Sequence, residues 1–263
     1  MVRDRRRRRG ASSQSVIEVS AEGAAQTGVS EPTSVKPFGE VRSVHGFATW
    51  LKFSLYVFCL LSALTVFSDI LAISFFRDVQ SGVLESGSRD AIAGGERIDQ
   101  IAILANFGFI VSFLSSGLAY GFFFQRSLKN LQAVHEADQD MKPFGVWAWY
   151  FVPIAALWKP LEGFSEVRYG SRKAEGKTED APKWVGVWWA SWIAYSILNS
   201  VSDRVLASGL LSGDLGTLTI AAYINIAAMI SACVAAIILA RFVIEIARGQ
   251  EQVQFMSSAT AFE

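Results

Sequence analysis

The side chains able to do acid–base or metal chemistry are few and scattered in this chain of 263 residues. Its two histidines, His45 and His135, lie outside the long apolar stretches, and the sequence contains no HExxH or GxSxG motif. Cys59 and Cys233 each stand alone inside an apolar stretch, without the spacing of a zinc site or of a disulfide framework. We therefore predict no catalytic residues, no metal site and no cofactor, and we interpret both cysteines as small buried side chains.

A membrane enzyme would need polar groups that only folding brings together. The available set is Asp69, Asn199, Asp203 and Glu166. The topology derived below places Glu166 across most of the bilayer from the other three residues. We therefore rank an enzyme as the least favoured interpretation.

Four apolar stretches predict the elements that carry these residues. A helix needs about 20 apolar residues to cross the hydrocarbon core of a bilayer, and such stretches occur at about 49–76, 101–124, 184–201 and 218–246. We expect the polar stretch 77–100 to be a loop, with Gly94-Gly95 breaking any regular element. The sequence therefore predicts an all-α integral membrane protein whose four transmembrane helices form a domain at 46–248. A disordered basic tail at 1–45 precedes this domain and a polar tail at 249–263 follows it.

Small residues and charges in span four predict how that helix packs. Ala228, Ala232 and Ala236 recur every four residues, with Ala227, Ser231 and Ala235 beside them, and predict a close-packing face. Arg241 and Glu245 are also four residues apart, so we expect them to pair with each other where the helix leaves the membrane.

The stretch FGVWAWYFVPIAALWKP, residues 144–160, interrupts the pattern between spans two and three. Its uncharged run at 143–158 has 16 residues, about 24 Å as a straight helix and short of the roughly 30 Å core. Pro153 removes a backbone donor in the middle of this run, and both flanks are basic. We therefore predict a Pro/Trp-rich re-entrant or interfacial segment at 143–169 that begins and ends on one side of the membrane. The tryptophans here and in span three predict an aromatic belt at that interface, in preference to a ligand cage.

The basic residues predict the orientation. Twenty of the 24 Lys and Arg residues lie in or before span one, between spans two and three, or at the end of the chain, and four lie in the other two loops. Cytoplasmic loops carry the excess of basic residues, so we predict that both termini and the Pro/Trp segment face the cytoplasm. The alternative is a fifth span at 143–158, which would place the six basic residues of 159–183 outside. We interpret the run Arg5–Arg9 as a solvated tail that fixes orientation, in preference to an electrostatic contact with anionic lipid headgroups or nucleic acid, and we expect no nucleic-acid partner.

Three motifs together are similar to those of a known family. They are Arg126-x-x-x-Asn130-Leu131, WAWYFVPIAALWKPLEGFSEV and Trp188-Trp189-Ala190. Over about 50–245 the chain resembles the bacterial four-span membrane family catalogued as domain of unknown function 4328. The residues on that family's motif positions are Arg126, Asn130, Pro153, Pro160, Glu166, Trp188 and Trp189, whereas Ala156 stands where an Asn is usual and Gln125 where an aromatic residue is common. The resemblance implies a multi-pass protein of the bacterial cell (inner) membrane, and it implies no activity.

Two hypotheses for function follow. The first is a structural or regulatory membrane protein that acts through contacts with protein partners or with a second copy of itself. The second is a protein that binds or transports a membrane lipid or an apolar small molecule at the cytoplasmic-side Pro/Trp segment. The residues of the candidate site are Arg126, Asn130, Trp149, Pro153, Trp158, Pro160, Glu166, Trp188 and Trp189. We expect Arg126 and Asn130 to satisfy carbonyl or carboxylate groups of residues 153–166.

Overall fold

The computed structural model describes residues 40–134, 141–152, 154–177 and 182–260. The predicted disordered tail lies almost wholly outside these residues, and so do His135 and Pro153. The described residues contain six α-helices and no β-strand, which confirms the all-helical fold. The helices are α1 (His45–Gln80), α2 (Arg89–Val134), α3 (Gly145–Ala148), α4 (Lys159–Ala174), α5 (Pro182–Ser212) and α6 (Leu215–Thr260).

Three helices in the described part of the chain are long and apolar enough to cross a membrane. They are α1, α2 and the Leu215–Ser258 part of α6. Their outer faces carry large apolar side chains that are more than half exposed, such as Leu60 in α1, Ile103 in α2 and Ile230 in α6. Extended apolar surface of this kind is typical of a membrane contact. These features agree with a multi-pass helical membrane protein.

The four long helices lie in the order α2, α1, α6 and α5, each antiparallel to its neighbours. At the beginning of α1, His45 lies 3.7 Å from Glu251 near the end of α6. Farther along α1, Asp69 accepts a 2.8 Å hydrogen bond from Asn225 near the beginning of α6. Helices α1 and α2 are antiparallel because Trp50 contacts Ser115 and Phe75 contacts Gly94. Helices α5 and α6 are antiparallel because Ser202 contacts Ala221 and Gly209 contacts Leu218.

Helix α2 begins at Arg89, so the prediction of a loop over 77–100 with a break at Gly94-Gly95 is wrong. Both glycines face the ring of Phe75 in α1. A Cβ on Gly94 would lie 3.3 Å from Cε2 of Phe75, and a Cβ on Gly95 would lie 3.6 Å from its Cζ. Glycine lets the two helices approach here, and this packing offsets the cost of about 1 kcal/mol that glycine carries in a helix. The connection itself is short and contains Gly82 and Gly87, both with positive φ.

Asp214 fixes the start of α6. Its carboxylate accepts hydrogen bonds from the Thr217 hydroxyl and from the backbone N–H groups of Gly216 and Thr217, the latter two at 3.0 and 3.1 Å. These bonds satisfy N–H groups that the first turn of a helix leaves without partners. The same bonds, that from the Thr217 hydroxyl most of all, lower the pKa of the Asp214 carboxyl.

The predicted close-packing face of span four is confirmed at Ala228, Ala232, Ala235 and Ala236, whereas Ala227 is exposed and Ser231 is half-buried. Ala228, Ala232 and Ala236 are all at most 5% exposed. They lie in the core, where α6 packs between α1 and α5. Because lipid is as apolar as these side chains, close van der Waals contact between small residues is a main source of such packing in a membrane.

The Pro/Trp segment is not a continuous helix. After the single turn of α3, two short 3-10 turns follow at Trp149–Phe151 and Ala155–Leu157, and α4 begins at Lys159. Pro160 occupies the first turn of α4, where its missing N–H would have no helical partner and its fixed φ suits a helix start. The segment and α4 together cover one end of the helix row, beside the beginning of α1, the end of α2 and the end of α6.

Candidate functional site

Helix α4 presents an aromatic and aliphatic inner face to the bundle. Phe164 and Val167 are fully buried. The ring of Phe164 lies 4.4 Å from that of Trp188 in α5, 5.5 Å from Phe124 in α2 and 5.2 Å from Phe242 in α6, centroid to centroid. One side chain of α4 therefore joins three of the four long helices. Aromatic pairs at these distances contribute about 0.5–1.5 kcal/mol each beyond their buried area.

An ion-pair network joins α4 to α6. Arg168 is 4% exposed, and its Nη2 lies 3.2 Å from Oε1 of Glu245. Arg172, one turn later in α4, places Nη1 2.6 Å from the same oxygen. The Arg168 guanidinium also lies 5.1 Å from the ring centroid of Phe242. A buried arginine is expensive unless a carboxylate and hydrogen bonds compensate it, and Glu245 supplies that compensation to two arginines.

A second polar network lies beside the first. The side chain of Asn130 accepts a 3.1 Å hydrogen bond from the backbone N–H of Arg42 and donates a 2.8 Å bond to its carbonyl. It also donates 3.0 Å to Oε1 of Gln250, whose Nε2 donates 3.0 Å to Oγ of Ser171. Asn130, Ser171 and Gln250 are each at most 2% exposed. The network thus ties the chain before α1 to α2, α6 and α4, and we call these residues with Arg168, Arg172 and Glu245 the polar cluster.

The backbones of α4 and α6 meet at Gly249. A Cβ added there would overlap the backbone carbonyl of Ser171, with 2.6 Å to the carbonyl carbon and 2.8 Å to the Ser171 Cβ. Only glycine fits this approach without displacing a helix. The contact places Ser171 within hydrogen-bond reach of Gln250, the residue after Gly249 in the chain.

The expected partners of Asn130 are wrong, and those of Arg126 are not found among the described residues. Asn130 bonds Arg42 and Gln250, not residues 153–166. Arg126 is half-buried, and no hydrogen bond or ion pair joins it to any described residue, Glu166 included. Glu166 instead accepts a 3.2 Å bond from the backbone N–H of Met141. The i,i+4 spacing of Arg126 and Asn130 placed both residues near one end of the bundle, but it did not identify what packs against that end.

The expected pair of Arg241 with Glu245 is also wrong. The Glu245 carboxylate faces α4, where Arg168 and Arg172 hold it. An i,i+4 pair on a helix surface contributes only about 0.2–0.5 kcal/mol. Two arginines on a neighbouring helix, one of them buried, therefore compete successfully for the carboxylate.

The tryptophans of the candidate site divide into two groups. Trp188 and Trp189 are 3% and 8% exposed, so the aromatic-belt interpretation is wrong for this pair. Trp189 donates a 3.0 Å bond from Nε1 to the carbonyl of Leu157, which attaches the Pro/Trp segment to α5. Trp158 is 44% exposed and Trp149 is half-buried, so this part of the segment does have accessible aromatic surface.

Comparison with protein-family models identifies the family of the chain. The model described as "Domain of unknown function (DUF4328)" matches residues 88–248, more than half of the chain. The chain belongs to the DUF4328 family. This confirms the resemblance seen in the motifs, and the family's description gives no activity. The comparisons with curated proteins and with solved structures found no match.

The DUF4328 match contains most of the polar cluster: Asn130, Arg168, Ser171, Arg172 and Glu245 lie within it. Gln250 follows it by two residues, and Arg42 precedes it. Asn130 is the one residue of the polar cluster that the sequence predicted as a site residue. The six that were missed are Arg42, Arg168, Ser171, Arg172, Glu245 and Gln250. The available signal was the spacing of Arg168 and Arg172 by four residues, which places two cations on one face of a short helix.

At the opposite end of the DUF4328 bundle the polar groups form separate local pairs. Asp69 accepts a 2.8 Å bond from Asn225, and Asn199 donates 3.0 Å to Asp203 within α5. Glu166 lies at the other end, beside Met141. The set considered for a membrane enzyme is therefore not gathered into one site. Within the described ranges, no three His, Cys, Asp or Glu side chains are grouped as metal ligands.

Proposed function

We propose that this DUF4328 protein is a four-span protein of the bacterial inner membrane, in which α5 crosses the bilayer in addition to α1, α2 and α6. Helix α5 runs antiparallel to α6, and Ser202 in α5 donates a 2.9 Å bond to the Ala221 carbonyl of α6. Its outer side carries exposed apolar residues such as Ile197 and Leu206. The 18 residues from 184 to 201 extend about 27 Å as a helix, close to the thickness of the hydrocarbon core. These observations support a domain at 46–248 in which all four long helices cross the bilayer.

The end covered by α4 is proposed to face the cytoplasm. Of the 17 Lys and Arg residues that the structure describes, 13 lie at this end and four at the other, which is the distribution expected of cytoplasmic loops. The Pro/Trp segment is proposed to lie at this interface as a re-entrant or interfacial element. Its support is the exposure of Phe151, Ile154, Leu157 and Trp158, which range from 44% to 76% exposed. Apolar and aromatic side chains of this kind insert at the boundary of headgroups and acyl chains.

We propose further that the protein has a structural or regulatory role and acts by presenting the outer face of α4 to a protein partner. The observation that carries this proposal is that α4 is held firmly on its inner face and is exposed on its outer face. Its inner face is fixed by the polar cluster, by Phe164 and by the close approach at Gly249. A surface held in this way loses little conformational entropy when a partner binds it.

The outer face of α4 has the composition of a contact surface. Glu162, Ser165, Tyr169 and Lys173 follow one another at helical spacing and are all exposed. Tyr169 is 55% exposed at the middle of this stripe. Tyrosine is among the residues that contribute most binding energy at protein interfaces, and flanking charges give specificity.

The exposed apolar side chains of the Pro/Trp segment favour a second candidate, the binding of a lipid or an apolar small molecule. Phe151 and Ile154 are more than 70% exposed and lie within eight residues of Trp158. In this account the segment contacts acyl chains, and the polar cluster only holds it in position. The two candidates use different surfaces, so one experiment separates them.

Photo-crosslinking in cells tests both candidates. A photoreactive phenylalanine analogue replaces Tyr169, Phe151 or, as a control at the opposite end of the bundle, Leu211, which is 91% exposed. We expect the Tyr169 position to give discrete protein adducts that the Leu211 position does not give. Adducts with lipid at Phe151, with only unmodified chain at Tyr169, would replace the first candidate by the second. Unmodified chain at both positions would contradict both.

A further inference from the structure

A groove lies between the beginning of α1 and the end of α6, apart from α4 and the Pro/Trp segment. Its volume is about 230 Å³. The walls are His45, Thr49 and Lys52 on α1 and Ile244, Arg248 and Glu251 on α6. The floor is formed by Ala48 and Ala247, which are 2% and 9% exposed. The small floor residues leave the depression between the two helices.

The groove carries an excess of positive charge. Lys52 and Arg248 make no hydrogen bond and no ion pair with any described residue. Glu251, the one acid of the groove, lies 3.7 Å from the Nδ1 of His45. Arg241, exposed and two helical turns before Arg248, adds a cation on the same side of α6. Lysine and arginine side chains bind phosphate groups through charge-assisted hydrogen bonds.

Exposed apolar side chains continue from the groove along α1 and α6 toward the middle of each helix. On α1, Tyr56 follows Lys52 by one turn and is 56% exposed, and Leu60 follows Tyr56 by another turn and is 70% exposed. On α6, Ile237 precedes Arg241 by one turn and is 46% exposed, and Val234 comes before it at 39%. The cations at the groove match the charged headgroup of a phospholipid, and the apolar side chains beyond them match its acyl chains.

We infer that this groove binds one anionic phospholipid. Lys52 and Arg248 contact the phosphodiester of its headgroup, and its acyl chains lie along Tyr56, Leu60, Val234 and Ile237. A zwitterionic phospholipid has the same phosphate but adds a cation that the groove repels, so an anionic lipid is preferred. This inference rests on the insertion of the chain in a membrane and does not depend on the proposed partner role of α4.

Native mass spectrometry of the full chain in detergent tests the inference. The protein is titrated with phosphatidylglycerol, with phosphatidylcholine of the same acyl chains and with glycerol phosphate. We expect one phosphatidylglycerol to bind about tenfold more tightly than phosphatidylcholine, and we expect glycerol phosphate not to be retained. Lys52→Gln with Arg248→Gln should abolish the preference. The conservative pair Lys52→Arg with Arg248→Lys should keep it and would show that a loss in the first pair is not caused by misfolding.

A matched control is Arg89→Gln with Arg97→Gln, which removes two exposed cations at the opposite end of the bundle and should leave the preference unchanged. Three results would overturn the inference. In the first, the wild type and the Lys52/Arg248 glutamine pair retain phosphatidylglycerol equally. In the second, the wild type retains the two lipids equally, and in the third it retains glycerol phosphate as tightly as phosphatidylglycerol. The last result would identify the groove as a site for a soluble phosphate anion.

Discussion

Gly249→Ala is expected to detach α4 from α6 and to lower the stability of the whole protein. The new methyl group would lie 2.6 Å from the carbonyl carbon of Ser171 and 2.8 Å from its Cβ. These are atoms of the backbone and its first side-chain carbon, so a change of rotamer does not relieve the clash. Overpacking in a filled core costs about 1–3 kcal/mol. The shift of α4 would in addition stretch the 3.0 Å bond from Gln250 to Ser171.

Thermal unfolding in detergent, followed by near-ultraviolet circular dichroism, measures this loss. The matched control is Gly186→Ala in α5, where no atom lies within 4 Å of the added Cβ. Alanine there should stabilise the helix by up to about 1 kcal/mol. Equal melting temperatures for Gly249→Ala and the wild type would show that α4 does not dock on α6 as described.

Glu245→Gln is the second change with a large expected effect. It removes the carboxylate shared by Arg168 and Arg172 while leaving a side chain of nearly the same size. Breaking a fully buried ion pair costs about 3–5 kcal/mol. Because Glu245 is 26% exposed and Arg172 is 19% exposed, water screens part of the loss, and we expect about 2–3 kcal/mol.

The control for Glu245 is Glu162→Gln, which breaks the 2.6 Å contact with Lys159 on the exposed side of α4. Surface pairs of this kind contribute at most about 1 kcal/mol. The double variant Arg168→Gln with Glu245→Gln should cost less than the sum of its single changes, since each single change leaves a charge without its counterpart. Strictly additive costs would mean that the two side chains do not interact in the folded protein.

The presence of long apolar helices could be predicted from the sequence because apolar length alone identifies membrane helices. The ends of the helices could not, since α6 continues through most of the predicted polar tail at 249–263, as far as Thr260. The α1 and α6 stretches needed no further information, and the small-residue face at Ala228, Ala232 and Ala236 was identified by its period. The start of α2 was not predictable in this way. Gly94 and Gly95 disfavour a helix locally, and the ring of Phe75 that fills the space beside them comes from another helix.

For the candidate site too, the sequence predicted some features and not others. The positions of Asn130, Trp188 and Glu166 near one end of the bundle followed from helix spacing. Their partners did not, because Arg42, Gln250 and Met141 lie up to 120 residues away in the chain. Glu245 pairs with Arg168 and Arg172 and not with the nearby Arg241. This preference depends on burial, which arises only when α4 packs on α6.

Cysteine accessibility in intact cells tests the four-span topology most directly. In a background with Cys59 and Cys233 replaced by alanine, single cysteines are placed by Ser86→Cys in the α1–α2 loop, Leu211→Cys near the α5–α6 turn and Lys177→Cys after α4. With four spans, a membrane-impermeant maleimide should label the Ser86 and Leu211 variants in intact cells and the Lys177 variant only after the cells are opened. If the Leu211 variant, like the Lys177 variant, is labelled only in opened cells, α5 does not cross the membrane. Labelling of Lys177 in intact cells would place α4 outside and contradict the account.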